Sequence, residues 1–442
     1  MSDAKLGLSG RLTKATLTSP LTPLFLIVAI LVGLLAVMSI PREEEPQISV
    51  PMIDISVASP GLKAVDAEQL VAKPLETIVK SVNDVDHVYS FIDDDRVLVT
   101  ARFKVGTDPD NAAIRIREKL DANMDRLPVG IAAPLVQTRG INDVPAMIIT
   151  LSPKPGSGDA LSDTALYNLA ARLRVELAKV DNVGLTFIVG GRPEEIRIEP
   201  DAAAMSARGV SLETLMTAVK AANTSFPAGN IRQAGQAVTV GAGQTLQTAT
   251  DVGLITLPSV TGQNVLVRDV ATVIQAPRED QSHVFRYARL TDGTWGQSPA
   301  VSLAIAKRKG ANAVVLSHAV HARVEALQGT LIPANVQVSI TRDYGESANE
   351  KANELLFHLG LATVSIVILI GFTIGWREAG VTAVVIPTTI LLTMFASNLM
   401  GYTINRVSLF ALIFSIGILV DDAIVMIENI ARHWGMNDGR TR

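Results

Sequence analysis

Four stretches of this chain are apolar almost without interruption, and the long region between the first and second alternates between apolar and polar positions. Leu21–Ile40, Leu355–Trp376 and Ala379–Asn405 carry no Asp, Glu, Lys or Arg. The run Val407–Ile427 would match them but for two adjacent acids, Asp421 and Asp422. As helices, each is long enough to cross roughly 30 Å of hydrocarbon. The pattern predicts membrane spans over 21–40, 355–376, 379–401 and 407–432. Lys5, Arg11 and Lys14 precede the first run, but its length and an exit at Ile40-Pro41-Arg42 without a small-x-small site favour a retained anchor over a cleaved signal. Positive charge then orients the chain. Residues 1–20 are a cytoplasmic or interfacial segment, Trp376-Arg377 is a cytoplasmic turn, 433–442 is cytoplasmic again, and the large middle region is exported. Trp376 and Trp434 would lie at the cytoplasmic interface, and Arg406 is the one dissenting charge.

The exported region has a recurring cadence. Met52–Ala58 alternates as a strand, Ala64–Val82 has helical spacing, and Val85–Phe91 and Val97–Val105 read as paired strands around Asp93-Asp94-Asp95. A helix follows over Asp108–Arg126, with Asp108 as N-cap and Pro109 at the first helical position. The same grammar returns as strand Ala146–Leu151, helix Asp163–Val180 and strands Gly184–Val189 and Glu195–Glu199. It returns a third time, less completely, as strand Ala300–Lys307, helix Ala313–Gln328 and strand Val336–Thr341. Repeated βαβ units of this size predict α+β subdomains of the split-βαβ, ferredoxin-like kind. The fold class is therefore a membrane α-helical bundle of four helices plus an exported α+β domain. One subdomain covers 41–135; a second is divided between 136–200 and 277–345. The Gly-, Gln- and Thr-rich stretch 201–276 breaks the cadence and reads as an insertion bearing an extended hairpin, with a mobile surface loop as the alternative.

Composition narrows the function. Of 442 residues, 48% are hydrophobic and none is Cys, so an exported domain must hold together by its cores rather than by disulfides. A net charge of −4 and the absence of a basic patch with interleaved aromatics argue against a nucleic-acid partner. No G-x-x-x-x-G-K-[ST], H-E-x-x-H or nucleophile elbow occurs, which removes the common ATP-binding, zinc-protease and hydrolase readings. His318, His321 and Glu325 have helical spacing that could form a metal face, but Arg323 lies among them and the helix reads as solvated; no metal is expected.

The acids of the fourth span carry the chemistry. Each costs roughly 2.5–3.5 kcal/mol near mid-bilayer if charged, so the pair costs on the order of 5–7 kcal/mol. Adjacent carboxylates also favour keeping at least one proton at neutral pH. A proton-loading site needs this property. The competing reading is a permanently paired acid that only fixes helix packing, for which two buried carboxylates are a poor means. No Lys or Arg lies within the runs to neutralise them, so a cationic partner must come from elsewhere. Glu428 shares the face of Asp421, nearer the cytoplasmic end.

The sequence resembles a known family at several places. GILVDDAIVMIENIARH (417–433) is similar to the fourth transmembrane helix of resistance–nodulation–cell division (RND) permeases, whose paired Asp residues form a proton relay. IPREEEPQISVPMIDISVASPGLKAVDAEQLVAKPLE (40–76) resembles their passage from the first helix into the first porter subdomain, and KRKGANAVVLSHAV (307–320) a motif of the second. The resemblance implies a Gram-negative inner-membrane secondary transporter, not an enzyme, driven by the proton gradient without other cofactor. It implies a homotrimer working with a periplasmic adaptor (membrane fusion) protein and an outer-membrane channel, and 201–276 as a docking insertion. Asp421 and Asp422 carry over as the relay, while the relay cations belong to a C-terminal half, so the chain reads as the N-terminal half of a longer permease. A second Asp where metal exporters carry Gly or Ala favours the hydrophobe/amphiphile, multidrug branch. Met147, Val189 and Asp280 are the substrate-pocket candidates. Where broad drug pumps carry Phe and Tyr, the aligned positions here are Pro145 or Ala146, Val189 and Asp280, and aromatics make up only 4% of the chain, so a narrower or more polar substrate range is expected. Two rivals stand beside this reading. One is a lipid or other hydrophobic-substrate carrier of the same superfamily. The other is an intramembrane aspartyl protease, which takes its acids from two helices and needs a Gly-x-Gly-Asp element absent here.

Overall fold

The computed structural model describes residues 14, 16–17, 19–46, 48, 50–140, 143–155, 161–233, 236–243, 245–259, 262, 264–279, 283–289 and 293–435. The first apolar run forms α1 (Leu21–Ser39), which stops at Ile40 because the following Pro41 disfavours a helical residue before it; Ile40 is extended. Then comes the first α/β unit. It contains β1 (Met52–Ala58), α2 (Ala64–Ala67) running through a π turn (Glu68–Ala72) into α3 (Lys73–Lys80), β2 (Val85–Asp93), β3 (Arg96–Phe103), α4 (Pro109–Asp121) and β4 (Leu135–Arg139). The sheet order is β2-β3-β1-β4, antiparallel throughout. Alternation puts Ile53, Ile55 and Val57 of β1 and Val97, Val99 and Phe103 of β3 on one face, where Leu75, Ile78 and Ile116 of the helices cover them. Asp108 caps α4 by accepting from the Asn111 N–H at 3.1 Å, ahead of Pro109.

The next region departs from the cadence expected along the sequence. Its elements are β5 (Pro145–Pro153), α5 (Asp163–Leu177), β6 (Val183–Val189), β7 (Glu194–Pro200), α6 (Ala202–Ala207), α7 (Leu212–Ala222), β8 (Phe226–Gln233), β9 (Gln236–Ala242), α8 (Ala249–Gly253), β10 (Thr256–Leu257), β11 (Val265–Leu266), α9 (Val267–Val270), β12 (Ala271–Pro277), β13 (Val284–Arg289), β14 (Trp295–Lys307), α10 (Ala313–Leu327) and β15 (Val336–Asp343). The second and third cadences share one sheet: β14 lies between β5 and β6, and β15 closes the far side of β5. Strand β7, expected to end the second cadence, pairs with β12 instead. The reason is in the side chains. Strand β14 pairs with β6, and its Val301, Leu303 and Ile305 complete the core with Ile149, Leu151, Leu173 and Leu316. On β7, Ile196 and Ile198 pack instead on the separate core of the insertion, formed by Met205, Leu215, Val252, Val267 and Val270. The β7–β12 ribbon is thus the stem of that insertion, and β8–β9 is an antiparallel hairpin paired with no other strand among the described residues.

Three long helices complete the chain: α11 (Tyr344–Thr373), α12 (Trp376–Leu399) and α13 (Arg406–Gly435). With α1 they are the four helices long and apolar enough to cross a membrane among the described residues. Helix α11 begins well before the expected start at 355, because its polar first turns pack on α10. A Cβ on Gly345 would lie 2.4 Å from the Ala313 carbonyl oxygen, so only glycine permits that approach. Helix α12 lies against α1 just as closely; a Cβ on Gly33 would sit 2.3 Å from the Leu391 Cβ. Buried hydroxyls in these helices return to their own backbone, as when Thr388 donates to the Val384 carbonyl at 2.7 Å and Thr382 to Glu378 at 3.1 Å. Ile40, Ile386, Ile390, Met394 and Leu409 form the core of the bundle.

Candidate functional site in helix α13

A reciprocal cap fixes the start of α13. The Asn405 side chain accepts from the N–H groups of Val407 and Ser408, both at 3.0 Å, and Ser408 Oγ accepts in return from the Asn405 N–H at 2.8 Å. Arg432 and His433 occupy the last turn, where positive charge suits the helix dipole. Between these ends the helix packs on α11 and α12 along a stripe containing Leu409, Leu412, Leu419, Ala423 and Ile427. At about 100° per residue, Asp421 projects roughly 160° from the mean direction of that stripe, and Asp422 roughly 100°.

Both carboxylates are exposed, about 22 Å along the helix from Arg406. Among the described residues neither has an ion pair or a hydrogen bond. Glu428 is exposed on the Asp421 side, as the heptad spacing requires. The helix therefore offers two acids on its unpacked side, with Phe410, Phe414 and Ile418 also exposed. Chemically, such a site can accept a proton or a cationic side chain, and in hydrocarbon it demands one of the two.

The other residues singled out from sequence are not brought to this place. Met147 is buried in the core of the second sheet, on β5 opposite Ile305. Val189 is partly exposed at the end of β6, opposite Ser302. Asp280 lies outside the described residues. His321 is engaged by Asp343 at 2.9 Å, which also accepts from Ser317 at 2.6 Å, and His318 is exposed on the same helix. Burial pushes the Asp343 carboxyl up, but hydrogen bonds from Ser317, His321 and the Glu346 N–H outweigh it and hold the group below its ordinary range.

The sequence pattern of the AcrB/AcrD/AcrF family matches residues 14–442. The chain belongs to that family. Its members are RND permeases of the multidrug type, multi-pass inner-membrane proteins with large periplasmic domains. Multidrug resistance protein MdtC of Yersinia enterocolitica is 29% identical over 416 residues, covering 93% of this chain and 39% of the relative. The proteins of the same name from Yersinia pseudotuberculosis and Yersinia pestis match to the same extent. The chain thus spans about two fifths of the length of the curated relatives it matches.

Sequence reading missed one group of residues at the foot of the bundle. Glu43 and Lys307 form a buried ion pair at 2.5 Å, with residue exposures of 3% and 9%. They are 264 positions apart. The available signal was a triple Glu directly after a membrane helix, at a depth where a carboxylate needs a partner.

Proposed function

We propose that this RND-family chain contributes the proton-binding helix of a secondary active exporter that moves amphiphilic compounds outward across the bacterial envelope in exchange for protons. The observation that carries the reading is the pair Asp421 and Asp422, mid-helix in a membrane segment, off the packed stripe and without a partner among the described residues. Two adjacent acids in that position can share protons only if a cation or water path faces them, which a further helix set supplies in the complete permease. Protonation removes charge from α13 and changes which packing of the bundle is favoured. A charge crossing the membrane contributes about 2.3 kcal/mol per 100 mV, the scale available to drive the change.

The α/β region fits the moving part. The order β2-β3-β1-β4 with two helices on one face, and the equivalent arrangement of β6, β14, β5 and β15, support a reading as ferredoxin-like porter subdomains over 41–135 and over 136–200 with 277–345, apart from the β7–β12 stem. The insertion over 201–276, with its unpaired hairpin, suits docking within a homotrimer that engages a periplasmic adaptor and an outer-membrane channel. Val189 stays a candidate for the substrate path because its end of β6 is accessible, and Asp280 and Met147 stand beside it on family resemblance alone.

The test uses the full-length permease expressed in cells lacking their own pump. Asp421→Asn and Asp422→Asn, each present in the membrane at wild-type abundance, abolish export of an amphiphilic dye. Unchanged export in either variant would overturn the proposal.

A further inference from the structure

Helix α13 is joined covalently to the α/β region through α12 and α11, so displacement of its outer end has a long path along the chain. A much shorter one exists through space. The segment Pro41–Glu44, between α1 and β1, runs alongside the loop that enters α13. The Ile404 N–H donates to the Pro41 carbonyl at 2.9 Å, the Glu43 N–H to Ile404 at 2.8 Å, and the Arg406 N–H to Glu44 at 3.2 Å. The first residue of α13 is therefore pinned to this segment by backbone hydrogen bonds.

On its other side the segment holds the second sheet. Glu43 Oε1 accepts from Lys307 Nζ at 2.5 Å, while Glu43 Oε2 accepts from Thr403 Oγ1 at 3.2 Å. One carboxylate thus bridges the loop before α13 and the last residue of β14. The neighbouring carbonyl of Arg42 accepts from the Ala313 N–H, the first residue of α10, at 3.1 Å, and the Arg42 guanidinium donates to Asn349 and Asn353 of α11. The register of β14 slips against both β5 and β6 between Ile305 and Lys307. A bulge of this kind re-aims a side chain, and here the residue at its end is the one that meets Glu43.

Stability does not account for the charges. A buried ion pair is often no better for folding than two apolar side chains of similar volume, because desolvation offsets the attraction. What it does provide is a directional tie that transmits displacement, and coupling between distant sites travels through such hydrogen-bonded and packed chains. We infer that Glu43, tied to Lys307 and Thr403, is the transmission joint that passes movement of the Asp-bearing helix to β14 and α10 of the second sheet, making Glu43 and Lys307 positioning residues for transport. This rests on the proton-driven reading above.

The experiment reconstitutes the full-length permease in proteoliposomes and reads proton flux and dye transport separately. The variant E43M/K307M removes both charges and leaves no lone buried ion, so the fold is retained. Its expected behaviour is loss of dye transport with proton flux persisting, and the exchanged pair E43K/K307E restores dye transport in part. Asp421→Asn, by contrast, loses both. Dye transport per folded permease at the wild-type level in E43M/K307M overturns the joint, as does a proportional fall of both fluxes in that variant. Proton flux and dye transport unchanged in Asp421→Asn overturn the proton-driven reading instead.

Discussion

Two acidic sites in this chain have opposite environments. Glu43 is nearly sealed from solvent and fully compensated, with a cation on one oxygen and a hydroxyl on the other. Asp421 and Asp422 sit deeper along a membrane helix and have no partner among the described residues. A compensated buried carboxylate is a fixed tie. An uncompensated pair in an apolar segment is an incomplete site, whose charge has to be met by protons or by another part of the permease. The contrast separates where charge holds parts together from where charge must change.

The largest expected effect breaks the uncompensated site: Asp421→Asn or Asp422→Asn reduces export to background with normal membrane abundance. On the compensated side, Lys307→Met alone leaves Glu43 buried without its cation. It should destabilise the folded protein by about 3–5 kcal/mol, read as a lowered unfolding midpoint of the detergent-purified permease, with Glu43→Met added in the same chain recovering most of it. A smaller effect tests the helix that carries the acids. Asn405→Ala removes the cap of α13 and should cost about 0.5–2 kcal/mol in the same assay.

The smallest concerns Asp343, a second compensated carboxylate, which caps α11 by accepting from the Gly345 and Glu346 N–H groups at 2.9 and 3.1 Å. Its folded-state pKa is depressed. Its contribution is therefore fully present above the unfolded carboxylate value of about 3.9 and is lost as pH falls through the lower folded value. The difference in melting temperature between wild type and Asp343→Asn should be constant near neutrality and shrink in acid. A difference that grows in acid would contradict the assignment.

The membrane helices were readable because an uninterrupted apolar run has few alternatives, and the Asp pair because acids inside such a run are conspicuous. Strand and helix positions in the α/β region followed from periodicity, which encodes which face of an element is buried. Periodicity does not encode the partner. Thr150 of β5 hydrogen-bonds Ser302 of β14 across 152 positions, and β7 left the second sheet for β12, because those choices depend on which edge the tertiary core fills. The same limit hid Glu43 and Lys307. Met147 was legible on a strand and as core filler, and the structure buries it where β5 pairs with β14.

The central claim is that Asp421 and Asp422 bind and release protons. Proton uptake by the purified full-length permease on acidification tests it most directly. The wild-type protein should take up protons that the double variant D421N/D422N does not; identical uptake by the two proteins would contradict the account.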